Sequence, residues 1–181
     1  MDYFVYCRDK PGTGAVRDER TEAHWAFMDG YADRMIARGP TLSDDGETAT
    51  GSMHIVDLPD AEAVRVFAFD EPYNRAGVFA EVMVHRWRNL LGRTMWDFEG
   101  NAPDSRFLAI AWGGPDVVRD HGECLVFYGE LVSDDGSTRL GDALGVELPS
   151  PGSVKELLGR RTDPYDRIEV HRWRFGGRPS T

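Results

Sequence analysis

The sequence predicts an α+β protein made of two tandem ferredoxin-like (βαββαβ) units that pack sheet on sheet within one chain. Three observations carry this: a block that occurs twice, a first half whose periodicity alternates between strand and helix, and the length. At 181 residues the chain holds two units of about 90. Leu42–Pro59 reads LSDDGETATGSMHIVDLP, and Val132–Pro149, offset by 90, reads VSDDGSTRLGDALGVELP; nine of these 18 positions are identical. Downstream, Glu71-Pro72-Tyr73 is echoed by Asp163-Pro164-Tyr165, and Val84-His85-Arg86-Trp87-Arg88 by Val170-His171-Arg172-Trp173-Arg174. Upstream, Phe4–Cys7 is echoed by Phe107–Ala111. The blocks keep one order in both halves, which is the mark of an internal repeat.

The first half reads as follows. Tyr3–Cys7, aromatic and β-branched, is a strand. Lys10–Gly14 is a Pro/Gly loop. From Arg17 to Arg38 the apolar positions His24, Trp25, Phe27, Met28, Tyr31, Ala32, Met35 and Ile36 fall within about a half-circle at 100° per residue, so the segment is expected to be one helix. Gly39-Pro40 is expected to stop it. Thr41–Ser43 and Gly51–Asp57 flank the Asp44-Asp45-Gly46 turn as a hairpin. Pro59-Asp60 caps a second helix with Val64, Phe67 and Ala68 at i, i+3, i+4 spacing. Val78–Trp87 closes the unit as a strand, with Val82 and Val84 on one face and Met83, His85 and Trp87 on the other.

A βαββαβ unit carries both helices on one face of its sheet and leaves the other face apolar. That face must be covered, most simply by a second unit. The sequence divides into a first unit at 1–91, a connector at 92–105 around Gly100-Asn101-Ala102-Pro103, and a shortened second unit at 106–181. From Phe4 to Ser43 is 39 residues and from Phe107 to Ser133 only 26, so 13 are missing where the first helix should stand. A single-unit relative would have to dimerise, whereas this chain is expected to be a monomeric pseudo-dimer or a homodimer.

Composition excludes several classes. Lys plus Arg total 21 and Asp plus Glu 31, for a net charge of −10; such a chain repels phosphate backbones, and no basic stripe reverses the balance. Nucleic acid is not an expected partner. The longest apolar run, Phe107–Trp112, is far short of the roughly 20 residues that span a bilayer. The N-terminus has neither a basic region nor the apolar run of a signal peptide. Two distant cysteines, Cys7 and Cys124, fit a reducing compartment. A cytoplasmic protein without a membrane partner is expected. No glycine-rich phosphate loop, nucleophile elbow, HExxH or paired CxxC occurs, so no cofactor and no metal are assigned.

The first unit resembles the YCII family of the dimeric α/β-barrel superfamily. The resemblance rests on Tyr3-Phe4-Val5-Tyr6, Ala23-His24-Trp25, Ala37-Arg38-Gly39-Pro40 and Glu71-Pro72-Tyr73-Asn74-Arg75-Ala76-Gly77-Val78-Phe79. It implies a barrel with a cleft holding a histidine and a carboxylate, and small-molecule chemistry such as dehydrochlorination of a chlorinated hydroxyquinol. His24 matches the family histidine. The family carboxylate is usually an Asp directly before the proline; here Glu71 holds that position and Asp70 precedes it.

The residues themselves support the same chemistry. Elimination or isomerisation of a small aromatic or enolisable molecule needs a proton acceptor poised near neutral pH, and histidine is one. A carboxylate on its other nitrogen fixes the tautomer. His24, Glu71 and Asp70 are the candidate catalytic residues, and Tyr73, Tyr6, Phe27, His85 and Trp87 the candidate substrate cleft. The expected function is a cofactor-free lyase or isomerase acting on a small molecule. Two alternatives stand beside it: a non-catalytic small-molecule binding module, and a structural domain. In the latter His24 is a core histidine and Glu71 or Asp70 only a cap. His85 and His171, at equivalent strand positions beside Trp87 and Trp173, are explained by structural repetition. The second unit has no counterpart of His24, His121 lying at a different spacing, and keeps only Asp163 of the pair.

Overall fold

The antiparallel pairing of strands closes on itself. The structure, a computed structural model, describes residues 1–114, 122–159 and 165–178. Among these residues the strands are β1 (Asp2–Asp9), β2 (Met35–Leu42), β3 (Ala49–Asp57), β4 (Phe79–Asn89), β5 (Arg106–Gly113), β6 (Leu125–Val132), β7 (Arg139–Glu147) and β8 (Tyr165–Trp173). The helices are α1 (Gly14–Asp29), α2 (Ala61–Phe69), α3 (Pro72–Arg75) and α4 (Pro151–Gly159). The barrel order is β1-β3-β2-β8-β5-β7-β6-β4. No helix of the described residues is long and apolar enough to cross a membrane.

The first half contributes the run β4-β1-β3-β2 and the second β8-β5-β7-β6. Registers match as well as orders. Tyr6 faces Met53 and Met83 in the first half, while Ile110 faces Ala143 and Glu169 in the second. A bulge interrupts β1 between Arg8 and Asp9 and β5 between Trp112 and Gly113. The hairpin turns also agree: Ser43 donates to Asp45 at 2.6 Å and Ser133 to Asp135 at 2.5 Å, with Gly46 and Gly136 at φ of 81° and 75°. These Asp-rich turns are exposed, as expected of solvated hairpin tips. The seams are two short ladders, Thr41–Leu42 with Arg172–Trp173 and Arg86–Asn89 with Gly129–Val132.

Alternation along the strands separates three cores. Phe4, Tyr6, Met53, Ile55, Trp87, Leu108, Ile110, Phe127 and Trp173 fill the barrel. Tyr3, Val5, Cys7, Val56, Val64 and Phe67 pack the outer face of the first half under its helices. Phe107, Ala109, Leu144, Val146, Val154 and Leu158 do the same beneath α4. Met95, in a 3-10 turn of the 92–105 segment, is buried in the barrel core.

The expected helix over 17–38 is corrected. α1 ends at Asp29, and Met35–Leu42 is a strand whose burial alternates at every residue. Gly39-Pro40 therefore does not stop a helix. Gly39 lies inside β2, where a Cβ would overlap the Arg174 carbonyl oxygen and the Trp173 indole; Gly129 gives the same room to Trp87 in β6. Close approach of a tryptophan across each seam is what the glycine serves. Asp60 caps α2 as expected, accepting the Ala63 N–H at 2.8 Å. Tyr165 opens β8 opposite Gly113, in the register position of Phe79 opposite Asp9. It is not the positional counterpart of Tyr73. Asp163 and His121 lie outside the described residues.

Candidate functional site

α1 lays the stripe Arg17, Thr21, His24, Trp25 and Met28 toward β2 and β3 at helical spacing, and three of these five residues are polar. An amphipathic helix with polar groups on its inner face cannot pack dry against a sheet. A cavity of about 300 Å³ results, bounded by α1, by β2 and β3, by Tyr73 and by Arg174–Gly177 of the segment after β8. Its size is at the lower end of the range for small-molecule sites.

His24 and Glu71, 47 residues apart, meet at its edge. His24 Nδ1 lies 2.6 Å from Glu71 Oε1, and the two side chains are 12% and 4% exposed. The other carboxylate oxygen accepts the backbone N–H of Asn74 at 3.0 Å, because Glu71 is the N-cap residue of α3 and Pro72 starts that turn. Glu71 is thereby fixed before it meets the imidazole. A carboxylate can only accept, so Nδ1 carries the proton and Nε2 is the acceptor of the neutral ring. Nε2 has no hydrogen-bond partner among the described residues. The Tyr73 ring stacks on the imidazole with centroids 4.3 Å apart and planes at 15°, and its hydroxyl is 3.1 Å from Thr21 Oγ1.

Around this pair sits a second polar set. Arg17 donates to both Asp9 carboxylate oxygens at 2.8 Å and to Ser52 Oγ at 2.7 Å, with its guanidinium 4.5 Å from the centroid of the Tyr73 ring. His54, buried on β3, has its ring 5.8 Å from that of His24 and edge-on to Phe67. Burial first, and then the neighbouring His24, Arg38 and Arg17, push its pKa well below the usual 6.5. His54 is therefore neutral at pH 7.

The remaining predicted residues lie elsewhere. Asp70 points away and pairs with Arg75 at 3.1 Å on the surface. Phe27 packs with Tyr31 and Phe67 between α1 and α2, over a separate groove. Tyr6, His85 and Trp87 point into the barrel, against Thr41, Trp112 and Phe127 respectively. Only Tyr73 of the expected cleft lines the cavity. The expectation grouped Tyr6, His85 and Trp87 with His24 in one cleft, whereas a histidine carried by α1 can only reach the helix-covered face, opposite Tyr6 and Trp87 in the pleat. Sequence reasoning missed Arg17, Ser52, His54, Arg38 and Arg174. A signal for two of them existed: inside the repeated block, Ser52 and His54 are replaced by Asp142 and Leu144.

Residues 1–88 match the YCII-related domain. His24, Glu71 and Tyr73 all fall within the YCII-related segment, and Arg174 falls outside it. An uncharacterised protein of Haemophilus influenzae is 29% identical over 97 residues, which are 50% of this chain and 99% of the relative. A 5-chloro-2-hydroxyhydroquinone dehydrochlorinase from Burkholderia phenoliruptrix, solved with 2,5-dihydroxybenzoquinone, is 30% identical over 51% of this chain and 99% of its own, with a TM-score of 0.48. Two further structures match nearly the full length. A candidate chlorite dismutase is 11% identical, covering 95% of this chain and 94% of its own at a TM-score of 0.56. A candidate monooxygenase of Fusobacterium nucleatum is 9% identical, covering 96% and 91% at 0.50. At those identities they show a shared fold.

Proposed function

We propose that the protein is a lyase or isomerase that moves a proton on a small aromatic or enolisable molecule, with His24 as general base and Glu71 as its orienting partner. The observation that carries this reading is the 2.6 Å contact between His24 Nδ1 and Glu71 Oε1 beside a cavity. Nε2 takes a proton from a carbon or hydroxyl of the substrate, and the imidazolium formed is stabilised by Glu71. Returning that proton to another atom completes an isomerisation. In an elimination the electron pair freed by deprotonation becomes a π bond as the leaving group departs with its own bonding pair, and the imidazolium then loses the proton to solvent; dehydrochlorination, the loss of a proton and chloride, is of this class. Tyr73 keeps the ring in plane, and Thr21 and Arg17 hold Tyr73.

The reading extends to the architecture. Residues 1–91 and 106–181 are two ferredoxin-like units from a tandem duplication, joined by 92–105, that complete one barrel in one chain. The matched registers, bulges and Ser-Asp-Asp-Gly turns support it. The second unit has lost its site, leaving one competent cleft per chain, and the molecule is a monomer. A light-scattering mass near 20.3 kDa is expected; twice that mass overturns the monomer.

The catalytic reading is tested by turnover across chlorinated hydroquinones and enolisable lactones. His24→Ala should reduce the rate about 10²–10⁴-fold while ligand affinity stays within about tenfold. Turnover indifferent to His24 overturns it.

A further inference from the structure

We propose that the cavity takes an anionic substrate, a small ring bearing a carboxylate or an equivalent oxyanion, held by Arg38 and by Arg174 of the second half. The inference rests on the proposed function for the identity of the site and adds its substrate class.

The charged groups around the cavity divide into those already satisfied and those that are not. Arg17 is bonded to Asp9, and Glu71 to His24 and Asn74. Arg38 and Arg174 also line the cavity, and among the described residues neither forms an ion pair. The carboxylates of Asp18 and Glu47 share the rim, yet both residues are exposed and neither bonds either arginine. Arg38 Nε is buried with no hydrogen-bond partner. Leaving a charged donor unsatisfied in that way is costly, and an anion reaching it removes the cost.

The backbone holds the two arginines beside one another. Arg174 N donates to Pro40 O at 3.3 Å and Gly176 N to Arg38 O at 3.0 Å, so the segment after β8 runs along β2. Gly39 permits that approach, since a side chain there would overlap the Arg174 carbonyl. Arg178 then ties the segment to α1 through Glu22 and Asp29, at 2.8 and 2.9 Å. The segment thus brings a cation to a cavity whose base and carboxylate belong to the other half. His54, uncharged in the same wall, does not compete for the anion. A guanidinium is suited to a planar oxyanion because it offers two parallel N–H donors.

The test is calorimetric titration of the full chain with 2,5-dihydroxybenzoate and with its neutral counterpart 2,5-dihydroxybenzamide at low ionic strength. The acid should bind at least about tenfold more tightly than the amide, and added salt should narrow that gap. Arg174→Gln should lower acid affinity about tenfold and amide affinity by far less. Arg38→Gln should act in the same direction; because Arg38 is partly buried, the exposed Arg174 decides if that variant fails to fold. Equal or tighter binding of the amide, no binding of either probe, or an Arg174→Gln variant that still prefers the acid overturns the proposal. The two readings fail separately. Loss of the acid preference with His24-dependent turnover intact removes the anion clamp alone. An acid preference that persists where turnover is indifferent to His24 removes the catalytic reading and leaves the anion site.

Discussion

The two halves of the barrel hold the same strands in the same register and put different things on their outer faces. In the first half α1 delivers Arg17 to β3, where it meets Ser52 at 2.7 Å and Asp9 at 2.8 Å. In the second, the position of Ser52 is Asp142, and the guanidinium comes from β7 itself: Arg139 meets Asp142 at 2.7 Å and the Gly113 carbonyl, in the place of Asp9, also at 2.7 Å. Tyr165 donates to the same Asp142 carboxylate. One half keeps its arginine on a helix and a cavity beside it; the other brings the arginine in from the strand and buries Asp142 completely. The barrel needs a satisfied polar group on that face and does not need a cavity there. On the function proposed above, the histidine, its carboxylate and the cavity serve chemistry rather than folding.

That contrast can be broken experimentally. The largest effect is expected at the site. His24→Ala should leave the thermal midpoint within a few degrees while lowering turnover about 10²–10⁴-fold, and Glu71→Gln should lower turnover about 10²-fold or more. In Glu71→Gln an amide N–H can face Nδ1 and impose the wrong tautomer. Next comes Asp142→Ala, expected to cost about 3–5 kcal/mol in urea unfolding because it removes the fully buried carboxylate to which Arg139 and Tyr165 both donate. Its counterpart Ser52→Ala should cost only about 1 kcal/mol. Equal costs would mean that the two polar sets are structurally equivalent, against the distinction drawn above.

The seam glycines make a sharper pair. Gly39→Ala and Gly129→Ala should each destabilise by about 1–3 kcal/mol through forced displacement of a tryptophan and a backbone carbonyl. Only Gly39→Ala should also weaken ligand binding, since it displaces the segment that carries Arg174. Ligand titration of both variants checks this; an identical loss in each would place the effect in the barrel rather than the cavity wall.

The smallest effect concerns pH. Burial lowers the pKa values of His54, His85 and His171. A base with a depressed folded pKa is protonated more readily in the unfolded chain, so its share of stability is fully present above 6.5 and is lost as pH falls below that value. Thermal midpoints measured from pH 7.5 to 5 should therefore decline. His54→Leu, which installs the residue found at Leu144, should decline less steeply. An unchanged slope would remove His54 as a contributor.

Much of this architecture is legible from residues alone because it is periodic or repeated. Val82 and Val84 separate from Met83, His85 and Trp87 through strict alternation, and both sets lie where that alternation puts them. The offset of 90 foretells that Gly46 and Gly136 adopt one turn. Periodicity failed at Met35–Leu42, where Met35 and Ile36 extend a helical stripe by accident. The true boundary is set by ladder pairing to β3 and by a tryptophan arriving from 134 residues away in the chain, Trp173 on Gly39. A local window contains neither partner.

The site divides in the same way. The sequence by itself determined that a histidine and a carboxylate are available at His24 and Glu71, and that the second half has no matching histidine in its block. Only the tertiary structure decided that Glu71 rather than Asp70 meets the ring, since the N-cap of α3 turns one carboxylate inward and leaves the other facing Arg75. It also decided the side of the sheet on which the cavity lies, and that Arg174 from the far end of the chain completes its wall. The physical reason is reach. Residue types and spacings act over a turn or a strand, whereas this cavity is bounded by elements whose mutual placement depends on closing the whole barrel.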